Sequence, residues 1–279
     1  MRQSRRVMLG GLVAALALPS APVVAASCRP QVLGTSRVLR INTSGGLKVG
    51  HKTYPQTLDL AECEVVLTFD DGPSGAPTLA VLDALRSECV QATFFLIGRN
   101  AAANPGLARR IVADGHSVAH HSFSHPWTFR QRSFEAGRAD ILKGFQAVDE
   151  AAFGVASASP RLPFFRYPGF ADTPELNAWL ASMGVGVFGC DLWASDWTPM
   201  SPERQLSLMM GRLRRERRGI LLFHDVQPQT AAMLPAFLRA LREGGYRIAH
   251  LDQGPLRPAL RDARPGWHAQ TERIIAGRR

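Results

Sequence analysis

The sequence predicts an α/β fold in which a mostly parallel sheet curls into a distorted (β/α)7-type barrel, built as a single domain. Three observations lead to this prediction. From Glu64 onward, short apolar runs alternate with longer amphipathic stretches, which is the pattern of repeated βα units. Proline and glycine mark the starts and stops of the amphipathic stretches. Polar residues collect directly after the apolar runs, where the loops of such a barrel assemble a functional site.

Seven apolar runs rich in β-branched and aromatic residues are predicted to be strands, because each is short and bounded by turn residues. They are Val65–Phe69, Ala92–Leu96, Ser117–His120, Phe164–Arg166, Val185–Cys190, Ile220–Phe223 and Arg247–His250. Seven strands of this kind favour closure into a barrel.

Six amphipathic stretches between these runs are predicted to be helices. They are Pro77–Arg86, Pro105–Asp114, Phe134–Ala152, Pro174–Met183, Pro202–Arg217 and Thr230–Glu243. Several begin with proline after Ser or Thr, since the first helical turn does not need the missing N–H. Gly115, Gly184, Gly219 and Gly244 follow as helix stops.

Residues 1–26 have the layout of a signal peptide. Arg2, Arg5 and Arg6 precede an apolar run from Val7 to Leu18, and small residues follow. The paired arginines also fit a twin-arginine signal, with a general secretory signal as the alternative. The run is shorter than the roughly 20 residues that a membrane-spanning helix needs. We therefore expect an exported protein of the periplasm, cell envelope or medium, with no transmembrane segment in the mature chain.

The rest of the chain divides into three parts. Residues 27–60 predict an irregular N-terminal extension, 61–255 the α/β domain, and 256–279 a basic, mobile C-terminal tail. After export, cysteines can form disulfides. We expect Cys28 to pair with Cys89 and Cys190 to be a buried thiol, although spacing does not fix the pairing. Cys28 could instead carry a lipid anchor.

The chain is basic, with a formal charge of +10. Removing residues 1–26 takes away three arginines and no acidic residues, which leaves +7. The positive charges are dispersed rather than gathered in one stripe, so nucleic acid is not the expected partner. A net positive charge suits an anionic envelope polymer.

Polar residues with catalytic chemistry follow five of the predicted strands. The segments are Thr68–Pro73, His121–Pro126, Arg166–Phe170, Asp191–Trp197 and Leu222–Asp225. Neighbouring side chains in an extended chain point to opposite sides. Asp70 and Asp71 can therefore take separate roles, one binding a metal and one transferring a proton.

A His-x3-His pair can place two imidazoles on one face of a turn, as a metal site requires. Two pairs share this spacing, His116 with His120 and His121 with His125. The second pair is favoured because it lies beyond the strand end. Two histidines and one carboxylate leave positions open for water and substrate. Zn²⁺ is the expected ion, with Co²⁺, Ni²⁺ or Mn²⁺ as alternatives.

Together, these five segments resemble, in this order, the motif set of the NodB-type polysaccharide deacetylases, carbohydrate esterase family 4. The resemblance extends from about Glu64 to Leu251. It implies a divalent metal, a carbohydrate polymer or oligomer as substrate, and hydrolysis that releases acetate from N-acetylated sugars. An O-acetyl esterase acting on xylan or an exopolysaccharide is the first alternative. A non-catalytic carbohydrate-binding protein is the second.

The resemblance also assigns roles to individual residues. Asp70 resembles the general base, and His224 the general acid. The residues that resemble the metal ligands are Asp71, His121 and His125. Arg166 would hold Asp70 ionised, and either Asp191 or Asp196 would support a protonated His224. The backbone N–H near Gly169 would stabilise the oxyanion, and the remaining substrate contacts would come from Trp193, Trp197 and Leu222.

Two positions depart from the family pattern. An aromatic residue and then glycine usually follow Arg-x-Pro, whereas this chain has Gly169 and then Phe170. The groove therefore loses a side chain. Asp196 also lies farther from Asp191 than the pattern leads us to expect.

Overall fold

The computed structural model describes residues 31–127 and 129–272. The predicted signal peptide and Cys28 lie outside these residues. Within the two described ranges, no helix is both long and apolar enough to cross a membrane.

The described residues form twelve strands and seven α-helices. The strands are β1 Thr35–Ile41, β2 Lys48–Val49, β3 Gln56–Leu58, β4 Glu64–Asp70, β5 Thr93–Leu96, β6 Ser117–His120, β7 Phe164–Phe165, β8 Gly186–Phe188, β9 Leu192–Trp193, β10 Gly219–His224, β11 Arg247–Gln253 and β12 Leu260–Asp262. The helices are α1 Gly75–Ser87, α2 Gly98–Ala103, α3 Pro105–Ala113, α4 Phe134–Phe153, α5 Pro174–Ser182, α6 Pro202–Glu216 and α7 Pro228–Glu243. Each predicted strand and helix overlaps an observed one.

Ten of the strands form one sheet in which every recorded pair is parallel. From β4 the pairing runs through β5, β6 and β7 to β8. The same passage of chain then continues as β9, which pairs with β10, and β10 pairs with β4 along its full length. Among the described residues no pair is recorded between β8 and β9, so the ring is interrupted between residues 188 and 192. The prediction of a mostly parallel α/β fold in a single domain is confirmed.

Alternation along β4 explains which side chains face the site. Val65, Leu67 and Phe69 pack in the cluster shared with the outer helices, whereas Val66 belongs to the cluster inside the barrel. Because successive strand residues point to opposite faces, Asp70 shares the inward face with Val66. The last residue of β4 therefore presents its carboxylate to the open end of the barrel.

The prediction of an irregular N-terminal extension was wrong for β1, β2 and β3. Strand β1 joins the sheet beside β11, β2 pairs with β8, and β3 pairs with β12. The partners of β1 and β3 lie about 200 residues away in the chain, so no local hairpin or βα pattern marks these strands. Part of the predicted mobile tail is also ordered, because β12 pairs with β3 in an antiparallel arrangement.

Two of the three cysteines within the described ranges are free thiols. Cys63 is half-buried and Cys190 is fully buried, so the prediction of a buried thiol at 190 is confirmed. Cys89 is disulfide-bonded. The predicted partner, Cys28, lies outside the described residues.

Candidate metal centre and active site

Three side chains from two loops form a group with metal-ligand geometry. Asp71 follows β4, and His121 and His125 follow β6. Their candidate ligand atoms all lie within 4.8 Å of one another. The Oδ1 atom of Asp71 is 3.2 Å from Nε2 of His125 and 3.5 Å from Nε2 of His121. That oxygen is buried and accepts no hydrogen bond from any described residue.

The two histidines are held in the neutral form that binds metals. Burial lowers the pKa of His121 to about 3, and burial also lowers the pKa of His125. Nδ1 of His121 lies 2.6 Å from the carbonyl oxygen of Arg166. When Nδ1 donates to that carbonyl, the lone pair of Nε2 is directed at Asp71.

The alternative pair is not part of this group. His116 accepts a hydrogen bond at Nδ1 from the backbone N–H of Ala92. His120 is fully buried between β6 and α4, where its Nε2 lies 3.6 Å from Asp149. Equal spacing in sequence therefore leads to different places in the fold, because His116 and His120 stand at the start and end of one strand.

Asp70 is buried and paired with an arginine in the barrel interior. Its Oδ1 accepts a hydrogen bond of 2.6 Å from Nη1 of Arg166. Arg166 is fully buried, and it also donates to Thr68 Oγ1 and to the carbonyl oxygens of Phe188 and Gly189. Burial raises the pKa of Asp70 to about 6, although Arg166 acts to lower it.

Asp196 supports His224 from the opposite wall. Its Oδ1 lies 2.8 Å from Nδ1 of His224, and its Oδ2 accepts hydrogen bonds from the His224 N–H and the Thr230 hydroxyl. Burial alone would lower the pKa of His224, but Asp196 and then Asp71 outweigh burial and raise the pKa to about 10. The imidazole is therefore protonated at neutral pH.

Asp191 does not contact His224. Its carboxylate accepts hydrogen bonds from the N–H groups of His51 and Ile220 and from the Thr57 hydroxyl. Ile220 lies near the start of β10 and His224 at its end, about 13 Å away at the usual strand rise. Of the two aspartates the sequence left open, only Asp196 supports the histidine.

The Gly72-Pro73 turn after the paired aspartates requires glycine. A Cβ at Gly72 would lie 2.1 Å from Oδ2 of Asp225. That oxygen also accepts a hydrogen bond from the Thr78 hydroxyl. Burial raises the pKa of Asp225 to about 7. The residue after His224 therefore packs under the loop that carries Asp70 and Asp71.

A cavity of about 40 Å³ joins these groups. Its walls include Asp70, His121, His125 and His224, together with Gly169, Leu222, Trp197, Trp127, Tyr167 and Phe170. Trp193 does not line the cavity. Its ring packs behind the cavity wall, with its centroid 5.8 Å from that of Trp197 and 6.4 Å from that of Phe170. Sequence reasoning did not place Trp127 here, although its position directly after His125-Pro126 was an available signal.

A larger cavity of about 800 Å³ lies elsewhere, between residues 45–48 and α5. None of the candidate metal ligands or proton-transfer residues lines it. Size alone therefore does not locate the chemistry in this protein. The small cavity is the candidate active site because the perturbed titratable groups converge there.

Comparison with known proteins agrees with this geometry. Residues 58–188 match the family described as polysaccharide deacetylase. A chitooligosaccharide deacetylase of Bradyrhizobium sp. is 33% identical over 205 residues, covering 68% of this chain and 89% of that protein. The structure of a peptidoglycan deacetylase of Bdellovibrio bacteriovorus superposes with a TM-score of 0.71 at 32% identity, covering 83% of this chain and 62% of that one.

Coverage differs between relatives. A peptidoglycan-N-acetylglucosamine deacetylase of Listeria monocytogenes is 31% identical over 192 residues. The match covers 68% of this chain but only 38% of that protein. The Bradyrhizobium relative, in contrast, is matched over nearly its whole length. The chain belongs to the polysaccharide deacetylase family.

Proposed function

We propose that the protein is a metal-dependent hydrolase that removes acetyl groups from N-acetylated sugars of an envelope or extracellular glycan, releasing acetate. One observation carries the proposal. The Asp71–His121–His125 group, the Asp70 carboxylate and the His224 imidazole all converge at one small cavity. We assign this activity to the domain at residues 61–255.

The donor set fits a catalytic divalent cation. Two neutral imidazoles and one carboxylate are the ligands expected for Zn²⁺, and three protein ligands leave positions open for water and substrate. The buried, unpartnered Oδ1 of Asp71 is an acceptor that a cation would satisfy. When bound, such a cation polarises a carbonyl and acidifies water. Zn²⁺ is our first choice, and Co²⁺, Ni²⁺ and Mn²⁺ suit the same ligands.

Asp70 is placed to accept a proton. Its Oδ2 lies 3.9 Å from Nε2 of His121, while its Oδ1 is fixed by Arg166. A carboxylate with a pKa of about 6 is ionised at neutral pH and remains basic enough to take a proton from an attacking water. Arg166 is a positioning residue, because it holds this carboxylate at the cavity wall.

His224 is placed to donate a proton. Its Nε2 lies 3.9 Å from Oδ2 of Asp71, and its Nδ1 is held by Asp196. An imidazolium beside the cavity can protonate the amine that departs when the C–N bond of an acetamide breaks. Asp196 fixes the tautomer and orientation of His224.

The rest of the wall suits an acetyl group. Leu222, Trp197 and Phe170 provide an apolar surface for the methyl group. Gly169 is at the same wall, and its backbone N–H is our candidate donor to the developing oxyanion. A cavity of about 40 Å³ exceeds the roughly 10–15 Å³ that one water needs but is far below the size of ligand-binding clefts.

N-acetylated glycans are favoured over O-acetyl esters by two observations. His224 is protonated at neutral pH, and an amine leaving group needs that proton more than an alkoxide released from an ester does. The relatives are also named for deacetylation of peptidoglycan N-acetylglucosamine and of chitooligosaccharide. Residues 1–26 have the layout of an export signal, so we place the enzyme in the cell envelope or outside the cell.

The test is acetate release from N-acetylglucosamine oligomers and from acetylated xylan, using the chain from Ser27. Each substrate is assayed before chelation, after chelation and after Zn²⁺ is restored. We expect metal-reversible release from the oligomers. A His125→Ala variant should lose both metal content and activity, and His116→Ala is the matched control because His116 lies away from the cavity.

Each outcome separates the alternatives. Release from xylan alone would make the protein an O-acetyl esterase. Release that resists chelation would contradict the metal-ligand assignment. An absence of release, together with measurable binding of the oligomers, would favour a non-catalytic carbohydrate-binding protein.

A further inference from the structure

We propose that the indole of Trp127 is a stacking surface for a sugar ring at the mouth of the active-site cavity. This inference rests on the proposed function and names how the substrate is held. Trp127 directly follows the candidate ligand His125 and Pro126.

The position of Trp127 connects the candidate metal centre with the cavity mouth. Its ring centroid is 4.7 Å from that of His125, and the two rings are nearly perpendicular. On the other side, indole atoms Cε3 and Cζ3 lie 3.7 and 3.8 Å from the place where a Cβ of Gly169 would stand. Trp127 therefore spans the gap between the histidine loop and the loop after β7.

Exposure distinguishes Trp127 from the other aromatic residues of the wall. Trp127 is 53% exposed, whereas Tyr167 and Phe170 are 2% and 7% exposed and Trp197 is half-buried. A single exposed apolar residue on a protein surface is ordinary. Here the exposed indole stands at the mouth of a cavity in which five titratable groups converge. A substrate that enters this cavity can therefore contact the indole.

The size of the cavity determines where the sugar must lie. A volume of about 40 Å³ accepts an acetyl group but not a pyranose ring. The ring that carries the acetyl group therefore remains at the mouth. An indole offers a broad apolar face with a polar edge, which suits the C–H face of a pyranose surrounded by hydroxyls.

Gly169 and Trp127 are complementary in shape. The position after Arg166-Tyr167-Pro168 has no side chain, and its φ of 57° favours glycine. A Cβ there would already be in van der Waals contact with the indole. The exposed aromatic surface at the mouth thus lies on the histidine loop, whereas the aromatic residues of the loop after β7, Tyr167 and Phe170, are buried.

The inference predicts an effect on substrate binding rather than on the chemical step. A stacking contact made equally in the ground state and the transition state changes KM and leaves kcat unchanged. Aromatic contacts contribute about 0.5–1.5 kcal/mol beyond buried area, so their loss corresponds to roughly a 2- to 13-fold change in KM.

The experiment compares wild type with Trp127→Ala and Trp127→Phe on N-acetylglucosamine oligomers and on an aryl acetate, which has no sugar ring. We expect Trp127→Ala to raise KM for the oligomers about 2- to 13-fold. We expect kcat, aryl acetate hydrolysis and metal content to stay near wild type. Trp127→Phe should recover most of the oligomer affinity. Val155→Ala is the matched control, since Val155 is 64% exposed and follows α4 at the other end of the barrel.

Two results would overturn the inference. One is an unchanged KM for the oligomers in Trp127→Ala. The other is an equal loss on both substrates with loss of metal, which would show that the indole only supports His125. If wild type does not deacetylate the oligomers, calorimetry measures how tightly wild type and Trp127→Ala bind the same oligomers. Weaker binding by Trp127→Ala supports the stacking role. Equal affinities of the two proteins, or no binding by wild type, overturn it.

Discussion

Two histidine–aspartate pairs in this protein differ in the charge of the histidine. In the pair at the active site, His224 and Asp196 are 2.8 Å apart, and the pKa of His224 is raised to about 10. In the pair between β6 and α4, His120 and Asp149 are 3.6 Å apart, too far for a hydrogen bond. There burial lowers the pKa of His120 to about 3 and raises that of Asp149 to about 6.

The surroundings of the two carboxylates explain the difference. Asp196 accepts hydrogen bonds from the His224 ring and N–H and from the Thr230 hydroxyl, and these contacts outweigh burial and lower its pKa. Asp149 accepts one backbone hydrogen bond, from the Arg161 N–H. A buried carboxylate stays ionised only when donors replace the lost water. Both members of the pair at the site are thus charged, whereas behind it His120 is neutral and burial disfavours the ionised form of Asp149.

The largest expected effect is on catalysis by Asp196→Asn. Removing this charge lowers the pKa of His224, so less of the general acid is protonated and kcat for N-acetylglucosamine oligomers should fall by roughly 10²-fold or more. Hydrolysis of an aryl acetate should fall much less, because a phenolate leaves without a proton. Asp149→Asn is the control and should keep kcat near wild type. Equal losses on both substrates would contradict the role of His224 as an acid.

The second prediction concerns stability of the metal-free protein at alkaline pH. The pKa of His224 rises from 6.5 to about 10 on folding, so its stabilisation is complete below pH 6.5 and disappears as pH rises toward 10. At about 1.4 kcal/mol per pKa unit, the loss should be a few kcal/mol. Urea unfolding between pH 7 and 10 measures it. A His224→Gln variant should lack this slope, and an identical slope would contradict the raised pKa.

The third prediction is that Asp149→Asn stabilises the protein at neutral pH. The pKa of Asp149 is raised from 3.8 to about 6, so ionisation in the folded state costs free energy above pH 6 and costs nothing below pH 3.8. Asparagine keeps an acceptor for the Arg161 N–H without the charge. We expect a gain of up to about 3 kcal/mol at pH 7.5 that shrinks at pH 4.5. Destabilisation at pH 7.5 would show that the ionised carboxylate has a partner.

The sequence predicted the parts of the fold that depend on local patterns. The apolar runs located the barrel strands. The strand ends separated His121 and His125, which the structure groups with Asp71, from His116 and His120. Strand β1 was missed because its partner β11 is about 200 residues away. Such long-range pairing leaves no periodic signal in a short edge segment.

Within the site, the sequence could not decide between Asp191 and Asp196. Both lie on the same passage of chain, and the choice depends on which end of β10 each one reaches. The aromatic wall was also only partly predicted: Trp197 lines the cavity, Trp193 packs behind it, and Trp127 was missed. A tryptophan can pack in a protein core or line a binding pocket. Only the three-dimensional structure shows which of the two applies to each tryptophan here.

The smallest expected effect comes from Thr230, whose hydroxyl donates to Asp196 and accepts a hydrogen bond from Gln205. Thr230→Val removes one of the donors that keep Asp196 ionised, so the pKa of His224 should fall modestly. A hydrogen bond of this kind contributes about 0.5–1.5 kcal/mol, or roughly 0.4–1.1 pKa units. Because the pKa of His224 is about 10, the loss of kcat on the oligomers should appear only above about pH 9 and reach roughly 2- to 13-fold, with kcat at pH 7 near wild type. Thr230→Ser keeps the hydroxyl and should keep the activity. If Thr230→Ser lost as much as Thr230→Val, packing of the methyl group rather than donation to the carboxylate would set the charge of this pair.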